Sequence, residues 1–479
     1  MKHRELIACL FFSSLALAET APVACRFPDG STPVDQPQIH CYSPKQFAHA
    51  YQIDQVYAEG YTGKGQVIIL ANVLGSPTLQ RDLDHFSDSF GLPKTAIQFI
   101  YPNGVVTNPL ASPDQLQAAQ EITLDTEWAH AIAPDATIVN IISVVDETVP
   151  SQVGSMAGLF KGIQMASDQY PGAIVSISTG IGEPDITDDD IKTYVKGSFH
   201  EILMNAANAG LTVIAATGDT GSTNRSVIDG AFFDQPNVGY PASDPFVTAV
   251  GGTMLEAGWK WTPKGNADDF WTCFLKKLGC VEDFLSWEPA EDSVREFAWK
   301  EDWARSGSGG GASRIFETPD FQKGLDPAVR TLMKGHRGVP DTALNAAQNG
   351  GVEVYTSFSG PSWTVVSGAS CAAPETAGIV ALAGQLASAQ SGRYVGIGYL
   401  NPILYSLGSR DFNDILPREF GQDNSPYFNP DLAKAPGSLV PSSPVPGFPV
   451  TPGYDLVTGW GSPHVVNFVH DLARARLAR

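Results

Sequence analysis

The 479-residue sequence predicts an α/β fold with a largely parallel central sheet flanked by helices. Three observations predict it. First, five short apolar runs are β-branched and nearly continuous, as strands covered on both faces must be. They are 66–73 (QVIILANV), 136–145 (ATIVNIISVV), 173–178 (AIVSIS), 212–217 (TVIAAT) and 246–252 (FVTAVGG). Second, helical patterns fall between them, at 112–133 and 195–210. Third, 43% of the residues are hydrophobic and only 17% charged, which is ample for a large core.

The elements follow in chain order. The opening MKHRELIACLFFSSLALAET has a basic start at Lys2, His3 and Arg4. Leu6 to Leu17 is an apolar core too short for an ordinary membrane span, and Ala16-Leu17-Ala18 is a small-x-small cleavage site. This reads as a signal peptide over 1–18 and implies a secreted, extracellular chain. Leu6–Cys9 resembles a lipoprotein box, but it lies before the apolar stretch ends and is rejected. No second apolar run of membrane length follows, so no membrane attachment is expected once the signal is removed. A short segment, 19–40, leads into one domain over 41–470.

Export makes the cysteines interpretable. Cys9 leaves with the signal. Cys25 and Cys41 bracket a Pro-rich segment, and Cys273 and Cys280 bracket FLKKLG. They pair in that order as two local bridges; free thiols are the alternative. Cys371 is left over. It reads as a small buried apolar residue, with a catalytic thiol as the sharper alternative that no histidine motif supports.

The helix at 112–133 has Ser112-Pro113 as its start, and Gly210 stops the helix at 195–210. Residues 257–306 hold Trp259, Trp261, Trp271, Trp287, Trp299 and Trp303 among many charges. They read as an inserted surface subregion whose tryptophans either line a substrate cleft or pack the insertion. Residues 416–454 are rich in Pro, Ser and Gly and read as a long loop.

Acidic residues outnumber basic ones by 51 to 30, for a net charge of −21 and a pI near 4.7. Such a surface repels nucleic acid and anionic lipid. It suits either simple solubility or a protein built for acid.

The chemistry starts at VVSGASCAAPETAGIVAL, 365–382. Ser370 sits among small residues at the start of a helical run, with Pro374 four positions on. A serine holds its proton at neutral pH and needs a base. Glu121 and Asp125, in QEITLDTEW, are four apart and share a helix face. Two such carboxyls either face water or hold a proton between them. Asp219, in IAATGDTGS, lies just past an apolar strand, at the edge where sites form in open α/β sheets. It is either a site residue or a turn aspartate bonding its own backbone.

SGASCAAP resembles the nucleophile motif of the subtilisin clan, with Ala369 in place of the usual threonine, yet no HGT-like histidine motif exists. The set is similar to the sedolisin (serine-carboxyl peptidase) family. Matching stretches run from CYSPKQFAHAY (41–51) through YTGKGQ, GSPTLQRDL, YPASDPFVTAVGGT, GGGAS and RGVPD to YDLVTGWGSP. The resemblance implies a subtilisin-like fold with a C-terminal calcium-binding region. It implies Ser370 as nucleophile, Glu121 as its general base, Asp125 as the carboxylate that orients Glu121, and Asp219 as proton donor in the oxyanion hole. It also implies one structural Ca2+, held by the side chains of Asp414 and Asp455 and the carbonyls of Ile415, Thr451 and Gly453.

The physics suits acid. Histidine is already charged there, whereas a glutamate near its ordinary value can accept a proton and a raised aspartic acid can donate one. The implied function is an acid-active serine peptidase, endopeptidase or tripeptidyl-peptidase, acting as a monomer on peptides or proteins. A catalytically weak binding or scaffold protein is the alternative. A His-dependent serine hydrolase would need a motif that none of the nine histidines supplies.

The sequence departs from the family in several places. About twenty residues separate Ala18 from the first matching stretch, where relatives carry a long prosegment. Asn72 stands where many relatives have aspartate, and NVL precedes GSP where AY is common. The interval from Asp414 to Asp455 is also longer than the family's.

Overall fold

The computed structural model describes residues 25–33, 39–105, 107–145, 148–149, 151–262, 264–276, 287–417, 421–434 and 437–479. The expected signal peptide and Cys280 lie outside these residues.

All five expected strands form, and all join one sheet. In chain order its strands are β1 (Val67–Val73), β2 (Gln98–Ile100), β3 (Thr137–Ser143), β4 (Ile174–Ile177), β5 (Thr212–Ala216), β6 (Thr248–Trp261), β7 (Trp287–Ala298) and β8 (Thr342–Asn345). Across the sheet the order is β7-β6-β5-β4-β1-β3-β2, with β8 also paired to β6. Every pairing is parallel except β6 with β7. The apolar runs explain this. Ile68, Ile69, Leu70 and Ala71 are fully buried, and alternate residues serve different cores. Ile68 and Leu70 enter one core and Ile69 and Ala71 the other.

Helices cover both faces. They are α1 (Pro113–Ile132), α2 (Ala157–Gln169), α3 (His200–Asn208), α4 (Ala369–Ser391) and α5 (Val465–Leu477). Residues of α1, α4 and α5 fill the first core, and residues of α2 and α3 the second. At the start of α1, the Ser112 side chain accepts from Gln115 N and Pro113 takes the first turn. The helix expected over 195–210 is interrupted. A π-helical stretch, Ile191–Phe199, precedes α3, and Gly197 leaves helical geometry within it. Side-chain periodicity carries no sign of such a backbone break.

α4 is the central helix. It is buried over most of its 23 residues and ends on Gly392 in the left-handed region. It packs on α1 at a glycine: a Cβ on Gly378 would lie 2.6 Å from Ile132 Cβ. The two helices that carry the candidate nucleophile and base are thus held in direct backbone-to-side-chain contact.

β6 runs well past the expected strand. It reaches Trp261 and folds back through β7, with a helix at Ala267–Lys276 between them. Trp259, Trp261, Trp271, Trp299 and Trp303 are buried in one cluster, and the His40 ring stacks on Trp259 at 4.1 Å. Their burial supports the reading in which the tryptophans pack this region, because a long hairpin can bury its own aromatics. Among its described residues, 416–454 forms no α-helix; it has a short 3-10 turn at Leu432–Lys434 and an isolated bridge between Asp423 and Pro449.

Cys25 and Cys41 are bridged, as expected. Cys273 is disulfide-bonded, and Cys280, its expected partner, lies outside the described residues. Cys371 is free and buried, and burial pushes its thiol up, which keeps it protonated and inert. Among the described residues no helix is long and apolar enough to cross a membrane.

Candidate active site

The C-terminal edge of the sheet assembles the site. Asn72 stands near the end of β1, Ser178 just after β4, and Asp219 shortly after β5. α1 brings Glu121 and Asp125 over this edge, and the first turn of α4 brings Ser370. Glu121, Asp219 and Ser370 line one cleft of about 850 Å³, together with Asn72 and Ser178. Asp125 lies behind them, fully buried. The four residues singled out in the sequence are thus brought together. Among the described residues, none of the tryptophans lines the cleft, and neither does any histidine, lysine or arginine.

Pro374 has a local consequence. It lacks an N–H, so the carbonyl of Ser370 receives no helical bond from it. The Ser178 hydroxyl lies 3.5 Å from that carbonyl and 2.9 Å from Asp125 Oδ1. One hydroxyl has one proton, and the shorter contact takes it. The other Asp125 oxygen accepts from Asn72 Nδ2 at 3.1 Å. Ser370 Oγ has a long contact of 3.5 Å with the Ser178 carbonyl. Glu121 Oε1 is buried without a partner. Ser370 and Glu121 are therefore neighbours in loose geometry.

The acids are displaced upward. Burial raises Glu121 well above its ordinary value, the charge of Asp125 raises it further, and the Ser370 hydroxyl opposes. Burial pushes Asp125 up to about 7, against the hydrogen bonds from Ser178 and Asn72. Burial also raises Asp219, whose Oδ1 accepts from Ala369 N at 2.8 Å. A Cβ on Gly368 would come 2.9 Å from Asp219 Oδ2, so only glycine lets this carboxyl approach the helix start. Ser178 escaped the sequence reading. Its one signal was its place at the end of AIVSIS, on the same edge as Asp219.

The residues proposed for calcium also lie together. Gly453 N donates to Asp414 Oδ2 at 2.9 Å, and Thr451 N to Asp455 Oδ2 at 3.0 Å. No backbone N–H of a described residue donates to the carbonyls of Ile415, Thr451 or Gly453. Asp455 Oδ1 also accepts from Val457 N, Thr458 N and Thr458 Oγ1, so its carboxylate is already bonded within the protein. The candidate donors are all oxygens, the kind a hard cation takes. Among the described residues no group of three or more His, Cys, Asp or Glu is placed to hold a metal.

The chain is similar to kumamolisin of Bacillus sp. (strain MN-32), at 30% identity over 426 residues. That match covers 88% of this chain and 62% of kumamolisin. The chain belongs to the sedolisin family. Tripeptidyl-peptidase 1 of Homo sapiens is 28% identical over 55% of this chain and 37% of its own length. Among solved structures, Pseudomonas sedolisin, a serine-carboxyl proteinase complexed with two molecules of pseudo-iodotyrostatin, matches with a TM-score of 0.63. It covers 90% of this chain and 98% of the sedolisin chain at 20% identity, a likeness of fold. The chain therefore has the sedolisin fold, a mostly parallel sheet flanked by helices. It spans only 62% of kumamolisin and 37% of human tripeptidyl-peptidase 1. No protein-family model matches it.

Proposed function

We propose that this sedolisin-family chain is a secreted, acid-active serine-carboxyl peptidase that hydrolyses peptide bonds through Ser370, Glu121, Asp125 and Asp219. The observation that carries the reading is a serine beside raised carboxyl groups in a cleft that none of the described histidines lines. The names of its relatives, peptidases all, support the class of reaction.

Ser370 Oγ attacks the scissile carbonyl carbon as its proton passes to Glu121. Asp125 steadies Glu121 from the next turn of α1. The carbonyl oxygen becomes an oxyanion. Two donors face it: the protonated carboxyl of Asp219 and the N–H of Ser370, which its place in the first turn of α4 leaves without a helical partner. Glu121 then returns its proton to the leaving amine, the C–N bond breaks, and an acyl-enzyme remains. Water, deprotonated by the same glutamate, attacks the ester carbon and frees Ser370. The opposing demands on Glu121 and Asp219 are met together only in the pH window above the lower apparent value of the Glu121/Asp125 pair and below that of Asp219.

Asp414 and Asp455, with the carbonyls of Ile415, Thr451 and Gly453, would hold one structural Ca2+. The ion would tie two loops together and take no part in the chemistry. The sequence supports export through the apolar segment ending at Ala18.

The test is a peptide library incubated with the purified protein at acidic and neutral pH, with and without a serine-reactive peptide aldehyde. Cleavage in acid, blocked by the aldehyde and absent in Ser370→Ala, is the expected result. A folded protein that cleaves nothing would favour the alternative of a scaffold.

A further inference from the structure

Asn72 departs from the family's pattern, and it faces the carboxylate that the proposed mechanism relies on. Asn72 is 4% exposed, and its backbone carbonyl accepts from the Ser143 hydroxyl at 3.0 Å. A carboxylate can only accept, so the NH2 end of the amide must face Asp125 Oδ2. Ser178 Oγ takes the other oxygen, Oδ1.

We propose that Asn72 is a positioning residue: with Ser178 it holds Asp125 between two neutral donors, and so lowers the pH at which the Glu121/Asp125 pair loses its first proton. The proposal rests on the reading of Glu121 and Asp125 as the base pair.

The surroundings of Asp125 make these donors decisive. Its charge acts on Glu121, from α1, and on Cys371, from α4; Asp219 acts on those same two groups, and Glu375 on Cys371. β1 and the end of β4 present Asn72 and Ser178, both neutral. Among the described residues no cation reaches Asp125, so nothing but hydrogen bonding offsets its burial. An amide donates at every pH. An aspartate at position 72 would donate only while protonated, and once ionised it would repel Asp125. The asparagine thus supplies, without a titrating proton, the bond that a third acid could give only while protonated.

The experiment compares kcat/KM against pH for wild type, Asn72→Ala and Asn72→Asp. It also follows the carboxyl titration of the pair by 13C NMR in the Ser370→Ala background. Asn72→Ala should move the acid limb up by about one to two pH units, the worth of one hydrogen bond to a charged group. Asn72→Asp should leave that limb near wild type, because the new carboxyl is protonated there and still donates. The NMR titration should show the same ordering. Two results would overturn the proposal: an Asn72→Ala profile that superimposes on wild type after scaling, or an Asn72→Asp limb displaced as far as that of Asn72→Ala. If the wild type shows no Ser370-dependent cleavage, the proposed function fails, and the NMR titration alone still decides the role of Asn72.

Discussion

Raising the pH should loosen this fold through carboxyl groups buried without partners, and Glu353 offers the clearest case. It lies in the strand Gly351–Thr356, is 4% exposed, and its Oε2 has no hydrogen-bond partner. Its Oε1 is 3.5 Å from Cys41 Sγ. That sulfur is in a disulfide and has no proton, so the contact is a hydrogen bond only when Glu353 carries one. Burial pushes Glu353 from its ordinary 4.5 up to about 8. Below 4.5 the group is protonated in both the folded and unfolded chain, and the fold is not penalised. Between 4.5 and about 8 the unfolded chain releases the proton first, so stability falls as pH rises. The gap corresponds to about 5 kcal/mol, comparable to the whole stability of a small domain. Glu353→Gln removes the titration and keeps the shape. Denaturant unfolding of both proteins from pH 4 to 8 tests this, with unfolding rates in place of equilibria where refolding fails. The variant should fall less steeply with pH and gain several kcal/mol on wild type by pH 8. Equal pH slopes for the two proteins would refute the reasoning.

Other outcomes follow from the same structure. Asp219→Asn keeps a donor that needs no acid, so it should be slower overall but lose much of the alkaline limb of kcat/KM; an unchanged limb would assign that limb to another group. Chelation should lower the Tm of wild type but not of Asp455→Ala, if the loops at Asp414 and Asp455 hold calcium; a wild-type Tm indifferent to chelator counts against the site. Gly378→Leu should destabilise by about 1–3 kcal/mol or more, since its Cβ alone would meet Ile132 at 2.6 Å. A Tm equal to wild type would show that the contact between α1 and α4 is looser than described.

The sequence made the sheet legible because parallel strands covered on both faces have little choice of residue. Ile68 to Ala71 had to be apolar throughout, and they mark β1 without help from the rest of the chain. The candidate site was legible for a different reason. Glu121 and Asp125 share a helix face, Asp219 follows a strand, and Ser370 opens a helix, but each signal alone has an ordinary explanation. Only their resemblance as a set to a known family joined them. What stayed hidden depends on tertiary approach. A serine at the end of a strand does not announce that it will meet Asp125, and Asn72 read as a mere departure until its amide was found on that carboxylate. The break at Gly197 and the long hairpin of β6 and β7 were hidden too. A glycine's backbone angles leave no periodicity, and tryptophans among charges look alike whether they face water or one another.

The central claim is that a glutamate, not a histidine, takes the proton of Ser370. The most direct measurement is kcat/KM against pH on one peptide substrate, for wild type, Glu121→Gln and variants of each histidine, with Ser370→Ala as the blank. The predicted result is a bell with its maximum well below neutrality. Glu121→Gln should be lower by several orders of magnitude at every pH, and each folded histidine variant should follow wild type. A wild-type maximum at or above pH 7, or a folded histidine variant as inactive as Ser370→Ala, would contradict it.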